Sequence, residues 1–387
     1  MKLILSILAS VLLGKFAPLW ICKSVITFSE IFGSFLQFLI PLMILTFVTI
    51  GISNLSNKIG KLLLITLFIS LISTFTAGFV SFFTSISLFP YFISNESIHL
   101  QNEINMNISP FFTLSFSQIL DTTSSIILAF ILGYHLAKMK INNENSYLYN
   151  VMRELELIIK NVLIKVIVPL LPIYVCGTFI KIIHSGRTFM ILNIFWKVFL
   201  VVIILHYCFI FIQFLIAGII SGKNPFRMIY NQMSAYLTAL GTQSSVATIP
   251  ENINCAHKNQ VSEDISNFVI PLCANIHMCG SIITITSCAM AICFMFNISI
   301  SLASISSFIF TLSFVMIASP GIAGGSIMAA LPFLNILFGN ELGNSNSELC
   351  SMMIALYIAQ DSFGTACNIS GDNAICVIID SISKKQK

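Results

Sequence analysis

The chain has 387 residues, of which 57% are hydrophobic and only 9% charged, with 19 basic and 15 acidic side chains, whereas ordinary soluble domains are about 25% charged. So few charges cannot cover a soluble surface. With a mean hydropathy of +0.94, the composition predicts an all-α polytopic membrane protein and excludes soluble enzymes, nucleic-acid binders and disordered scaffolds.

The first apolar run, Leu3 to Leu13 after Lys2, has the basic start and short hydrophobic stretch of a signal peptide. It resumes through Phe16–Cys22 past Lys15 and lacks a small-residue cleavage site, so a first transmembrane helix is the better reading. Further spans are expected at 28–53, 61–90, 110–138, 158–182, 190–221, 264–297 and 347–381, which makes eight crossings. The 11 cysteines are scattered through these runs without a CxxC pair, and read as small buried hydrophobes.

Two stretches are not simple spans. Residues 226–256 and 300–338 are apolar at their flanks but carry ALGTQSSVATIP (239–250) and ASPGIAGGSIM (318–328) at their centres. Hydrocarbon offers no partner for free backbone N–H and C=O groups, so irregular backbone at that depth must line a protein cavity. Both stretches are therefore expected to be re-entrant helical hairpins. Each precedes a long span, the arrangement of two structural repeats around a midplane site.

Placing the amino terminus in the cytoplasm puts Lys2, Lys58, Lys61, Lys138, Lys140, Arg153, Lys160, Lys223, Arg227, Lys258, Lys384, Lys385 and Lys387 on that side. Few then lie outside, chiefly Lys23, Lys181 and Arg187. Positive charge gathers on the cytoplasmic side of membrane proteins, so both termini are expected there. The net charge of +4 accordingly reports topology and not an anionic partner.

The last span, YIAQDSFGTACNISGDNAICVII, holds two carboxylates in an apolar helix. At about 100° per residue, Thr365, Asn368 and Asp372 fall within roughly 40° of Asp361, forming one polar stripe. A carboxylate at bilayer depth costs about 2.5–3.5 kcal/mol or more, so it is normally paired and marks a substrate or ion path. No Lys or Arg lies between Lys258 and Lys384. The compensating charge is therefore expected to come with the cargo. A carboxylate with Thr or Asn oxygens suits a hard cation such as Na⁺, and a second carboxylate suits an ammonium group. Half-helix starts at the hairpin tips, with Ser244 and Ser245 as extra donors, favour a substrate carboxylate.

In the seventh span, PLCANIHMCGSIITIT interrupts an apolar helix with Asn275, His277, Cys279, Gly280 and Ser281. Gly280 among small polar residues predicts an unwound segment whose carbonyls can coordinate a cation. Cys273, His277 and Cys279 lack the spacing of a structural zinc site. His277 is either a proton-sensitive group or a neutral, hydrogen-bonded one.

Taken in order, TQSSVATIP, HMCGS, GIAGGS and QDSFGTACNISGD resemble the dicarboxylate/amino acid:cation symporter family, most closely its serine/threonine:sodium branch. The likeness is strongest over about 220–381 and weaker in 1–220, where LIPLMI around Pro41 is the clearest stretch. It implies an inverted-repeat elevator transporter that assembles as a homotrimer in the bacterial inner membrane. Residues 1–220 would be mainly scaffold, with spans 3 and 6 joining the mobile unit, and 221–387 the transport core with both hairpins and spans 7 and 8. It further implies that Asp361 binds the substrate amino group and that Thr365 and Asn368 contact substrate. Asp372 ligates Na⁺ beside Asn368, with His277 at the cation site. Ser244 and Ser245 form the first tip, and Ile322 and Gly324, within Ile322–Gly325, form the gating second tip.

Three departures from the family pattern bear on the cargo. HMCGS stands where NMDGT is usual, so His277 replaces Asn and Cys279 replaces an Asp, which fits fewer coupling ions and can admit protons. Val246 stands for a third hairpin Ser. Gly364 lies where acidic-substrate members place an Arg, so the bidentate partner of an acidic side chain is missing. The expected function is Na⁺-coupled symport of a small neutral amino acid such as serine or threonine, with no other cofactor. The alternative is proton- or sodium-coupled symport of dicarboxylates or acidic amino acids. An intramembrane enzyme using Ser244 or Cys279 lacks any HExxH or GxSxG and leaves the paired carboxylates without a role, an ATP-driven pump lacks a GxxxxGK[ST] loop, and a channel would have the hairpins line a continuous pore with flux far above carrier rates.

Overall fold

The computed structural model describes residues 2–54, 60–93, 108–117, 119–120, 122–141, 146–184, 188–317, 319, 321, 324–338 and 345–385. Its regular elements are helices throughout these residues. Helix α1 (Lys2–Phe16) stops before Ala17–Pro18, and α2 (Leu19–Asn54) starts just after it. The first run therefore ends earlier, and the second begins earlier, than the apolar pattern predicts. Proline has no N–H to extend α1, and its fixed φ opens a new helix instead.

Helix α3 (Gly60–Leu88) leads into the short α4 (Pro90–Ile93). The expected fourth span is corrected at its start: residues 108–117 are not helical, and α5 spans only Thr122–Ile141. Hydroxyls of α2 take over the missing helical bonds. Thr27 Oγ1 accepts the Phe111 N–H at 2.9 Å, and Ser34 Oγ accepts that of Phe116 at 2.9 Å. The fifth span is two helices, α6 (Tyr147–Val162) and α7 (Val168–His184), joined by a π-helical turn at Leu163–Ile167. Pro169 lacks the N–H that would close on Lys165, which accounts for the wider turn. Lys181 of α7 pairs with Glu30 of α2.

After α8 (Thr188–Ser221), the two interrupted stretches fold as helix pairs, α9 (Pro225–Thr242) with α10 (Ser245–Lys258) and α13 (Leu302–Met316) with α14 (Gly325–Phe338). The first pair turns at Gln243, whose φ of 53° is left-handed, and at extended Ser244. The seventh span is broken into α11 (Glu263–Ile276) and α12 (Cys279–Met295), and α15 runs from Ser345 to Lys385. By length and composition, Leu64–Leu88, Asn193–Ser221 and Glu263–Met295 are apolar enough to cross a membrane among the described residues.

Helix α12 is the centre of the bundle. All of its residues but Phe294 are buried, as expected of a helix that is apolar all round. Helices α3, α8 and α15 pack around it, while α1, α2, α5 and α7 pack on one another. The α12–α15 crossing is close because two glycines meet there. A Cβ at Gly280 would lie 2.6 Å from Cys367 Cβ and against the Gly364 carbonyl oxygen.

Overpacking such a contact costs about 1–3 kcal/mol. Gly280→Ala is expected to lower the unfolding temperature in detergent, whereas Gly241→Ala, with nothing within 4 Å of its Cβ position, leaves it unchanged or raises it. Equal behaviour of the two variants in a thermal melt would contradict this close crossing.

Candidate functional site

The site is built where three interrupted backbones meet α15. Its stripe of Asp361, Thr365, Asn368 and Asp372 is buried along its whole length. Helix α11 ends at Ile276, and His277 and Met278 are non-helical before α12 begins. Met278, the N-cap of α12, makes no side-chain cap bond. Asn368 does this from across the interface: its Oδ1 accepts the Gly280 N–H at 2.7 Å and that of Ser281 at 3.3 Å, and its Nδ2 donates to Ser281 Oγ at 3.0 Å. The first N–H groups of a helix have no internal partner, so Asn368 holds the break open. The Gly280 carbonyl, a candidate cation ligand by sequence, instead accepts from Thr284 Oγ1 at 3.0 Å and lies 3.0 Å from His206 Nε2.

Asp372 is not left without a protein partner, which corrects the expectation drawn from the missing Lys and Arg. His277 Nδ1 lies 2.9 Å from Asp372 Oδ1, with both side chains fully buried. His277 Nε2 lies 2.9 Å from Ser73 Oγ, which also accepts from Gln213 Nε2 at 3.0 Å. Gly371 makes room for this ring, since a Cβ there would sit 2.5 Å from His277 Cε1. A serine hydroxyl has two lone pairs and one proton. Ser73 can therefore donate to a neutral His277 or accept from a protonated one. Asp372 Oδ2 has no hydrogen-bond partner among the described residues. An unpaired buried carboxylate oxygen is costly, and it suits a small hard cation.

Asp361 meets the second hairpin. Its Oδ2 accepts the Gly324 N–H at 2.7 Å, where Gly324 has a left-handed φ of 72°. The first tip reaches the same place. Ser244 caps α10, accepting the Ala247 N–H at 3.3 Å, and its hydroxyl donates to the Gly321 carbonyl of the second hairpin at 2.9 Å. Ser245 is buried, and its Cβ lies 3.5 Å from the Cβ position of Gly321. Ile322 lies outside the described residues, and Thr365 is buried.

Further polar residues complete this site, and of them Ser73 and Gln213 carry no signal in the sequence pattern alone. Ser281 collects Asn368, Ser326 at 3.3 Å and Tyr357 at 3.2 Å around one hydroxyl, linking α12, α14 and α15. Ser73 and Gln213 sit singly in α3 and α8. Below the stripe, Gln232 and Asn252 of the first hairpin donate to the Ile369 carbonyl at 3.3 and 3.1 Å, and Asn373 donates to Asn252 Oδ1 at 3.0 Å. The amides at 232, 252 and 373, absent from ordinary lipid-facing surfaces, are the signal that finds this strap.

A family model described as the sodium:dicarboxylate symporter family matches residues 1–382. The chain belongs to that family. It is thus a multi-pass membrane protein of a transporter family and not an enzyme. It is 31% identical over 163 residues to the serine/threonine transporter SstT of Acinetobacter baylyi, covering 42% of this chain and 40% of that relative. It is 30% identical over 169 residues to excitatory amino acid transporter 3 of Mus musculus, covering 43% of this chain and 31% of that relative. The matched stretches span less than half the length of either relative.

In this symporter-family chain, Asn368→Ala leaves the first N–H groups of α12 unpaired. Its expected effect is amide exchange at Gly280 and Ser281 at least about tenfold faster, the scale set by an unpaired buried donor. Unchanged protection of these two amides would show that the cap is not what holds the break.

Proposed function

We propose that the protein is a Na⁺-coupled symporter of a small neutral amino acid of the serine or threonine type. The observation that carries this reading is Asp361, a buried carboxylate bound to the Gly324 N–H beneath two joined hairpin tips. An incoming ammonium group replaces that N–H as the partner of Asp361, and opening of the tip admits the substrate. Charge-assisted hydrogen bonds to carboxylate are the stronger kind, so the exchange favours the charged cargo. Thr365 and Asn368 lie along the same stripe, and Ser244 and Ser245 supply hydroxyls for the substrate carboxylate.

A neutral side chain is favoured by the arginines. The chain has three, Arg153, Arg187 and Arg227, and Gly364 presents none to the site. The name of the Acinetobacter relative, a serine/threonine transporter, agrees with this reading. Na⁺ is co-transported cargo, with Asp372 Oδ2 as its open ligand. The elevator motion, the homotrimer, the eight crossings and an inner-membrane location with cytoplasmic termini belong to the same proposal. The mobile unit would be α3 and α8 to α15.

A second reading concerns the ion. His277 engages Asp372 at 2.9 Å, and its bond to Ser73 accommodates either protonation state. This favours a proton as coupling ion in place of Na⁺. The names of the excitatory amino acid transporters, and the family description, fit an acidic substrate instead.

Uptake of radiolabelled L-serine into proteoliposomes separates these readings. An inward Na⁺ gradient is expected to drive accumulation that threonine blocks and aspartate does not, and Asp372→Asn should abolish the Na⁺ dependence. Accumulation driven by a proton gradient alone would transfer the coupling to His277. Uptake of aspartate or succinate in place of serine would overturn the neutral-substrate reading.

A further inference from the structure

The α9–α10 pair has a second polar feature at its base, at the far end from the Ser244 tip. A cavity of about 250 Å³ opens there, and its walls include Lys223, Arg227 and Lys258 but no acidic residue. Lys223 Nζ donates to the carbonyls of Asn259 at 2.6 Å and Gln260 at 3.1 Å, tying the two ends of the pair together. An ammonium group has three donors, so one remains for a ligand. Arg227 and Lys258 are exposed and form no direct ion pair among the described residues. The nearby Asp380 is already committed, accepting from Ser262 Oγ at 2.6 Å and from Lys384 Nζ at 2.6 Å. Asn224 Oδ1 accepts the Phe226 and Arg227 N–H groups. The positive charge of the cavity therefore comes from side chains and not from a bare helix end.

An apolar track lies on the same helix that lends Arg227, Met228 and Asn231 to the cavity. Phe226, Tyr230, Met233 and Leu237 of α9 are exposed, and steps of four, three and four residues place them on one helix face. Phe211 of α8 packs on Phe226 with ring centroids 5.8 Å apart, widening the track. A cationic cavity beside an exposed apolar face, with Phe226 next to Arg227 in the chain, matches an amphiphile with an anionic head. Free phosphate or a nucleotide would use the cavity alone.

We propose that this cavity binds the phosphate group of an anionic phospholipid, whose acyl chain lies along the exposed face of α9. The inference requires only that the chain sits in a membrane and does not depend on the proposed substrate or coupling ion. The lipid would bridge the base of the first hairpin and α8. Its phosphate would meet Arg227, Lys258 and the remaining Lys223 donor.

Native mass spectrometry of the detergent-purified full chain, titrated with phosphatidylglycerol or phosphatidylcholine, tests the proposal. Phosphatidylglycerol is expected to bind more tightly. Arg227→Gln combined with Lys258→Gln should weaken it by about tenfold or more, the effect of removing two basic groups near an anionic head. Should the double variant fold poorly, Lys258→Gln alone, at an exposed position, should still weaken it by several-fold. Phe226→Ser with Tyr230→Ser should reduce long-chain but not short-chain phosphatidylglycerol binding. Equal affinity of the wild type and the charge variants for phosphatidylglycerol would overturn the proposal, as would its displacement by millimolar inorganic phosphate.

Discussion

Backbone groups buried at membrane depth must find partners inside the protein, and in this chain one helix supplies many of them. Asn368 of α15 takes the first N–H groups of α12. Seven residues earlier, Asp361 takes the Gly324 N–H of the second hairpin. On the other side of the stripe, the Ile369 carbonyl and Asn373 receive the first hairpin through Gln232 and Asn252. The break before α12 and the tip of the second hairpin are thus held by polar side chains of α15, and the first hairpin is strapped to the same helix. The polarity that makes this helix a poor membrane span is what lets the broken elements exist.

The same constraint gives the site its chemistry. The groups that satisfy these breaks differ in how fully they are engaged: Asn368 is bonded through both its oxygen and its nitrogen, whereas the carboxylates keep capacity to spare. Asp361 binds a neutral N–H where an ammonium would be the stronger partner. Asp372 binds His277 through one oxygen and leaves the other without a hydrogen-bond partner among the described residues. Full satisfaction would make a rigid core; partial satisfaction leaves room for exchange. The bond of Ser244 to the Gly321 carbonyl joins the two hairpins directly.

Much of this was legible in the residues, for stated reasons. The hairpins show because Gly, Ser, Thr and Pro interrupt apolar runs at midlength, and the stripe shows because Asp361 and Asp372 share one helical face with Asn368. The partner of Asp372 escaped because a full positive charge means Lys or Arg, whereas the partner is a histidine, His277, 95 residues away in sequence. Ser73 and Gln213 are ordinary polar residues until the fold brings α3 and α8 to the α12 break. The non-helical stretch at 108–117 was hidden by its apolar content, since hydropathy reports burial in lipid and not where N–H groups bond. Hydroxyls of α2 settle that.

The most direct test of the central claim is calorimetric titration of the purified protein with L-serine in Na⁺ buffer, wild type against Asp361→Asn. Truncating one member of a buried charged pair costs about 2–5 kcal/mol, so serine affinity should fall by at least about 30-fold while the variant stays folded. Serine binding of undiminished affinity to Asp361→Asn would contradict the account, because the carboxylate beneath the hairpin tips would then have no part in holding the cargo.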